Sequence, residues 1–184
     1  MMKAFLIGMA LTLTLAGSAF AGGAFTLSSP QIKDGGTLAD AQVFNGFGCS
    51  GDNISPKLEW SNPPAGTQSF VVTVYDPDAP TGSGWWHWVV FNIPASARSL
   101  ELNAGGDPAK LPAGAVQSLT DFGVPGYGGA CPPPGDKPHR YLFTVYALKA
   151  PHLDLAPGTM PAAVGFTIHG NVLGRAQFTA TYGR

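Results

Sequence analysis

The sequence predicts a mainly β domain, a sheet protein with short helices only near its C-terminus. Three observations predict it. Residues 70–75, 89–93 and 142–148 are dense in β-branched and aromatic side chains, which suit a pleated, half-buried surface. The 25 glycines and 17 prolines punctuate the chain around such runs, as in a loop-rich sheet protein. Apolar spacing of the helical kind occurs only late, at Val164, Ile168 and Val172.

In chain order, Met1-Met-Lys3 and the apolar residues 4–15 give a positive start and a run shorter than the ~20 residues that span a bilayer. Ala19-Phe-Ala21 supplies a small-x-small cleavage pattern. Residues 1–21 therefore read as a secretory signal peptide cut after Ala21, and residues 22–184 as one domain; in a bacterium the destination is the periplasm. No stop-transfer pattern follows, so no transmembrane anchor is expected. A short strand at 24–27 precedes turns at Ser28-Ser-Pro-Gln and Asp34-Gly-Gly-Thr37, and residues 41–47 are expected to pair as another strand. Leu58 and Trp60 alternate with polar partners before Asn62-Pro-Pro-Ala-Gly66 turns the chain. Asn53-Ile-Ser55 fits a glycosylation acceptor, a three-residue match too short to use. The strands at 70–75, 87–93 and 141–148 are apolar on both faces, which belongs in the middle of a covered sheet. Residues 94–112 read as connecting loops. Thr159 is expected to cap a helix with Pro161 in its first turn, although Gly165, Gly170 and Gly174 weaken it, and residues 177–182 read as a closing strand.

With 10 Lys and Arg against 11 Asp and Glu, scattered along the chain, there is no basic cluster for nucleic acid or an anionic membrane surface. Any anion specificity must come from a local pocket. Cys49 and Cys131 both lie in glycine-rich loops, and an oxidising compartment favours pairing them. Such a bridge is worth about 4–5 kcal/mol on the chain-entropy account.

The stretch from Asp76 to Trp88 breaks the surrounding composition, with two carboxylates, a histidine and three tryptophans between two strands. A second segment repeats the layout: the glycine- and proline-rich residues 123–135, then His139-Arg-Tyr141 opening a strand. If the loops meet, one rim holds Asp76, Asp78, His87, His139 and Tyr141, with glycine N–H groups nearby. Imidazole and phenol can donate to a small oxyanion, glycine-loop N–H groups can form a concave nest, and aspartate can orient a histidine. Alone, each aspartate reads equally well as a loop cap, and each histidine as a hydrogen-bonded structural residue.

Asp-Pro-Asp-Ala-Pro, Trp-x-His, Gly-Gly-Ala-Cys-Pro-Pro and His-Arg-Tyr resemble the two signature regions of the phosphatidylethanolamine-binding protein family, also called the Raf kinase inhibitor-like proteins. Cys49-Ser-Gly-Asp-Asn-Ile-Ser-Pro56 with Leu58 and Trp60, and the ending Thr181-Tyr-Gly-Arg184, resemble its bacterial branch, the YbhB/YbcL type. The resemblance implies a β-sandwich, a large central sheet plus a smaller one, with a pocket for phosphate or phosphoryl head groups. Carried over by motif, the pocket comprises Asp76, Trp85, His87, Gly129, Cys131, Pro132, Pro133, His139 and Tyr141, with Asp78 supporting the loop. Only Gly183 and Arg184 follow the closing strand, which implies a more open site than in animal members.

The reading is a binding or regulatory protein for a small phosphorylated or anionic ligand, needing no cofactor and no metal, with an unnamed protein partner and a homodimer left open. Two alternatives stand beside it. A hydrolase would need an activated nucleophile, and no Gly-x-Ser-x-Gly elbow is found; Ser50, Ser55 and Ser83 have no evident base, and Cys131 would have to be reduced. A metal-dependent version would recruit Asp76, His87 and His139. The other alternative is a host-facing interaction protein with an idle pocket.

Overall fold

The computed structural model describes residues 23–184, and the expected signal peptide, with its cleavage after Ala21, lies outside the described residues. In chain order the early strands are β1 (Thr26–Ser28), β2 (Asn45–Gly46), β3 (Cys49–Ser50) and β4 (Leu58–Ser61). The long β5 (Ser69–Asp76) and β6 (Trp85–Pro94) follow, then the two-residue β7 (Ser99–Leu100) and β8 (Val116–Gln117). The chain closes with β9 (His139–Leu148), the helix α1 (Pro161–Ile168) and β10 (Val172–Tyr182).

A five-stranded sheet has the order β10-β9-β5-β6-β8 and a three-stranded sheet the order β1-β4-β7, so the expected large and small sheets are both present. Every pairing in the large sheet is antiparallel. Phe70, Val72 and Val74 of β5 face the small sheet and pack in one core with Leu58, Trp60 and Leu100. On the opposite face, Val71, Val89 and Phe91 pack with Leu153 and with Val164 and Ile168 of α1. That double cover is the physical reason β5 and β6 carry apolar side chains on both faces.

Four local expectations are corrected. Residues 41–47 do not form a strand: Asp40–Gln42 is a single 3-10 turn and only Asn45–Gly46 pairs. Their backbone is claimed by loops instead, with Phe44 N–H donating to Ala130 O, and Ala130 N–H donating to Gln42 O. Thr159 does not cap α1, whose N-cap position is Met160 with no side-chain cap. Val172 does not continue the helix but opens β10 opposite Leu148. The loops at 94–112 also contain β7 and a 3-10 turn at Pro108–Lys110.

Candidate functional site

Three adjacent strands bring the site together. In the order β9-β5-β6, β5 ends where β6 and β9 begin, so Asp76 at the end of β5 meets the first residues of both neighbours. Period-two alternation puts Asp76 on the face of Phe70, Val72 and Val74, and puts His139 and Tyr141 on the face of Phe143 and Val145. β6 needs an irregularity to do the same. Val74 pairs with Trp88 but Tyr75 pairs with Trp86, so His87 is the extra residue of a β-bulge. Strict alternation would turn His87 toward the helix face with Val89. The bulge allows Trp88 to stay in the core, Trp86 to pack on the helix side, and Trp85 and His87 to line the cleft.

The cleft has a volume of about 230 Å³ and a mostly apolar lining. Its floor holds Asp76, His87, His139 and Tyr141, each no more than 4 % exposed. Asp76 is fully engaged. Its Oδ1 accepts from the N–H groups of Asp78 (2.8 Å) and Ala79 (3.1 Å), and its Oδ2 lies 2.8 Å from Nδ1 of His139. The Nε2 of His139 is 3.4 Å from Oδ2 of Asp136. His87 is held differently: its Nδ1 lies 2.7 Å from the carbonyl oxygen of Gly128, which can only accept, so Nδ1 carries hydrogen. Burial pushes the His87 pKa down, against the opposing pull of the Gly128 backbone, the Asp76 carboxylate, the Gly129 backbone and the Asp121 carboxylate. Its Nε2 then presents a bare lone pair.

That Nε2 and the hydroxyl of Tyr141 are buried and have no hydrogen-bond partner among the described residues. Their rings meet edge to face, with centroids 5.1 Å apart. Burial, reinforced by the Asp76 carboxylate, pushes the Tyr141 pKa up, so its O–H remains a donor. An unpartnered acceptor and an unpartnered donor therefore belong to two contacting rings of the cleft lining. Each costs about 1–3 kcal/mol while unsatisfied.

The opposing wall comes from loops. Cys131, Pro132 and Pro133 line it, and a disulfide joins Cys49 to Cys131, with Cα atoms 6.0 Å apart. The bridge anchors the hairpin β2–β3, whose two-residue turn is Phe47-Gly48. Both turn residues have positive φ, 54° and 82°, as a type I′ hairpin turn requires. Phe47 stacks on Phe122 at 5.9 Å, and Phe122 meets Trp85 edge-on at 5.4 Å. Arg184 ties the wall from outside, donating to the carbonyl oxygens of Phe47, Gly48 and Pro132.

The expected residues Asp76, Trp85, His87, Cys131, Pro132, Pro133, His139 and Tyr141 all line this cleft. Gly129 does not. Its N–H donates to Oδ1 of Asn53, and a Cβ there would lie 2.4 Å from Gln42 O, so it is glycine for close packing behind the wall. The expected nest of glycine N–H groups is likewise absent among the described residues, because Gly128 N–H donates to His87 O and Ala130 N–H to Gln42 O. Asn53, in the sequence resembling a glycosylation acceptor, joins two loops by also donating to Tyr127 O. Asp78 turns away from Asp76 and binds Arg140 through Nε (2.8 Å), Nη2 (2.7 Å) and backbone N–H (2.9 Å). Those contacts hold its carboxyl at about 2, below the usual range. Among the described residues no three His, Cys, Asp or Glu side chains are grouped to hold a metal ion. Phe47 and Phe122 were missed in sequence; the only signal was an aromatic residue before glycine in each, Phe47-Gly48 and Phe122-Gly123.

These features define a class: a β-sandwich with a small aromatic-walled cleft at one end of its central strands and buried polar groups on the floor. Residues 28–183 match the sequence pattern of the phosphatidylethanolamine-binding protein family, and the chain belongs to that family. It is 54% identical over 160 residues to the UPF0098 protein YbcL of Escherichia coli, covering 86% of this chain and 87% of that one. It is 53% identical over 156 residues to the E. coli UPF0098 protein YbhB, covering 85% of this chain and 98% of that one. The crystal structure of E. coli YbcL, described as a new member of the mammalian PEBP family, superposes with a TM-score of 0.85 at 53% identity, over 87% of this chain and 98% of that one. LppC of Mycobacterium tuberculosis, named as a lipoprotein, is 34% identical over 158 residues, covering 85% of this chain and 71% of that one.

Proposed function

We propose that this protein binds the phosphoryl or other anionic end of a small ligand in the cleft, and acts by binding rather than by catalysis. The observation that carries the reading is the pair of unpartnered buried atoms, His87 Nε2 and Tyr141 Oη, on two contacting residues of the cleft lining. Gln42 Oε1 and Trp60 Nε1 are unpartnered too, but only His87 Nε2 and Tyr141 Oη belong to residues lining the cleft, where a ligand or an ordered water can reach them. Binding without chemistry is supported by what the walls offer a substrate. Cys131 is spent in the disulfide, and the hydroxyl of Thr81 donates to the carbonyl of Gly84, so neither stands ready as a nucleophile for His87. Export to the periplasm is supported by the disulfide, by the reading of residues 1–21 as a signal peptide, and by the kinship with LppC. In that compartment the bound ligand would set whether the rim is free to engage a partner protein.

Trp85 in the cleft wall gives the test its signal. Titration of the disulfide-bonded protein with inorganic phosphate, phosphoethanolamine and O-phosphotyrosine is expected to change tryptophan fluorescence saturably, and His87→Ala to abolish the change. No saturable change with any of the three at millimolar concentration would overturn the reading.

A further inference from the structure

The two unpartnered atoms differ in what they ask of a ligand. Tyr141 offers a hydrogen and needs an acceptor, which any oxyanion provides. His87 offers a lone pair and needs a hydrogen. Its tautomer is fixed by geometry, because Nδ1 faces the Gly128 carbonyl at 2.7 Å and must be the protonated nitrogen. The groups packed around it do not change that. Asp76 at the end of β5 has both oxygens committed, Oδ1 to the turn after it and Oδ2 to His139. Asp121 accepts from the backbone N–H of Trp86. Tyr141 on β9 and Phe122 each meet the His87 ring edge to face, with ring centroids 5.1 Å and 5.4 Å away. Burial in this setting disfavours the imidazolium.

We propose that the cleft selects an anion that still carries a proton: a singly ionised phosphomonoester donates its P–O–H hydrogen to Nε2 of His87, and one of its bare oxygens accepts the hydroxyl hydrogen of Tyr141. This rests on the phosphoryl reading above and makes His87 its specificity-determining residue. A sulfate monoester has the same shape and the same single charge but no hydrogen to give. In its complex an oxygen lone pair would face the lone pair of Nε2, and the buried acceptor would stay unsatisfied. The discrimination is therefore by one proton, neither by size nor by charge.

The test compares phenyl phosphate with phenyl sulfate, whose common ring can rest on the Trp85 and Phe122 side of the cleft. Binding to the disulfide-bonded protein is measured by calorimetry at matched ionic strength, from about pH 5.5 to about pH 8.5, across the second ionisation of a phosphomonoester near 6. Phenyl phosphate is expected to bind about 10- to 100-fold more tightly at about pH 6. Its affinity should fall about tenfold per unit at higher pH, with proton uptake visible as a buffer-dependent heat. His87→Gln, whose amide can turn either its oxygen or its NH2 inward, is expected to bind the two ligands alike. Equal affinities in the unaltered protein would overturn the inference while leaving the anion site standing, and so would a His87→Gln variant that keeps the preference. Failure of both ligands to bind would overturn the phosphoryl reading and this inference together.

Discussion

Tyr141→Phe separates what the cleft costs from what it does. Tyr141 is 1 % exposed, and its hydroxyl has no partner among the described residues, so the native fold carries a desolvated donor. Leaving such a group unmade costs about 1–3 kcal/mol. Removing only the oxygen keeps the ring against His87 and in the core beside Phe143. With the cleft open to solvent the relief lies at the lower end, about 1 kcal/mol, which for a domain of this size raises Tm by about 2–4 °C. Binding moves the other way. A hydrogen bond to a charged acceptor is worth about 1.5–3 kcal/mol, so Kd for a phosphomonoester should rise roughly 10- to 150-fold. Differential scanning calorimetry without ligand and a fluorescence titration with O-phosphotyrosine read the two effects separately. A ligand-free variant that melts several degrees below the parent would refute the reasoning, because it would mean that the hydroxyl is satisfied within the fold.

Two further outcomes follow from the loops and rim. The disulfide closes a loop with 82 residues of sequence separation, so Cys49→Ser with Cys131→Ser should cost about 4–5 kcal/mol and lower Tm by on the order of 10–15 °C; thermal unfolding with and without reductant checks it, and a shift under about 3 °C would refute the chain-entropy account of this bridge. The Asp78 carboxyl is held at about 2 by Arg140, below its ordinary 3.8. A lowered carboxyl contributes stability that is complete above its unfolded value and is lost as pH falls through the folded one, so that share disappears between about pH 4 and pH 2. Arg140 is exposed, which makes the contribution small. Asp78→Asn should flatten that limb of the stability profile without moving the limb near pH 6, where protonation of the unfolded chain's His87 acts.

How much of this was legible in the sequence depends on how regular the backbone is. On β5 and β9 the alternation runs unbroken into the site, so Asp76, His139 and Tyr141 could be read onto one rim from spacing alone. On β6 it could not. Trp85, Trp86, His87 and Trp88 read as an undivided aromatic cluster, and only the bulge at His87 sorts them into cleft, helix face, cleft and core. The same strand hides a second irregularity. Asn92 adopts φ 56° and exchanges two hydrogen bonds with the backbone of Leu153, which returns Ile93 to the core face alongside Val90. Nothing in a two-residue period announces either shift. The segment 41–47 was misread for a related reason: its apolar residues serve loop packing, with Val43 bridging to Ala130 rather than to a neighbouring strand.

The lip of the cleft is built on a different logic from its floor. The floor residues are placed by strand register, which slips only if a whole sheet slips. The lip rests on Phe47, a bulky residue in the left-handed region of a turn where Asn or Gly would be unstrained, and it is 69% exposed. Strain of about 1–3 kcal/mol persists only where the surroundings over-determine the conformation. Here they do so through the backbone: the disulfide fixes the residue after the turn, and Arg184 takes the carbonyl oxygens of both turn residues. Because the ties hold the chain and leave the ring to stack on Phe122, the ring is positioned without being buried. Changes at the lip should then alter preference for what the ligand carries beyond its anionic end, and changes at His87 or Tyr141 should alter recognition of that end itself. Phe47→Asn makes the division measurable: it relieves the turn and removes the stacking wall, so it should weaken binding of phenyl phosphate and leave that of inorganic phosphate within about twofold.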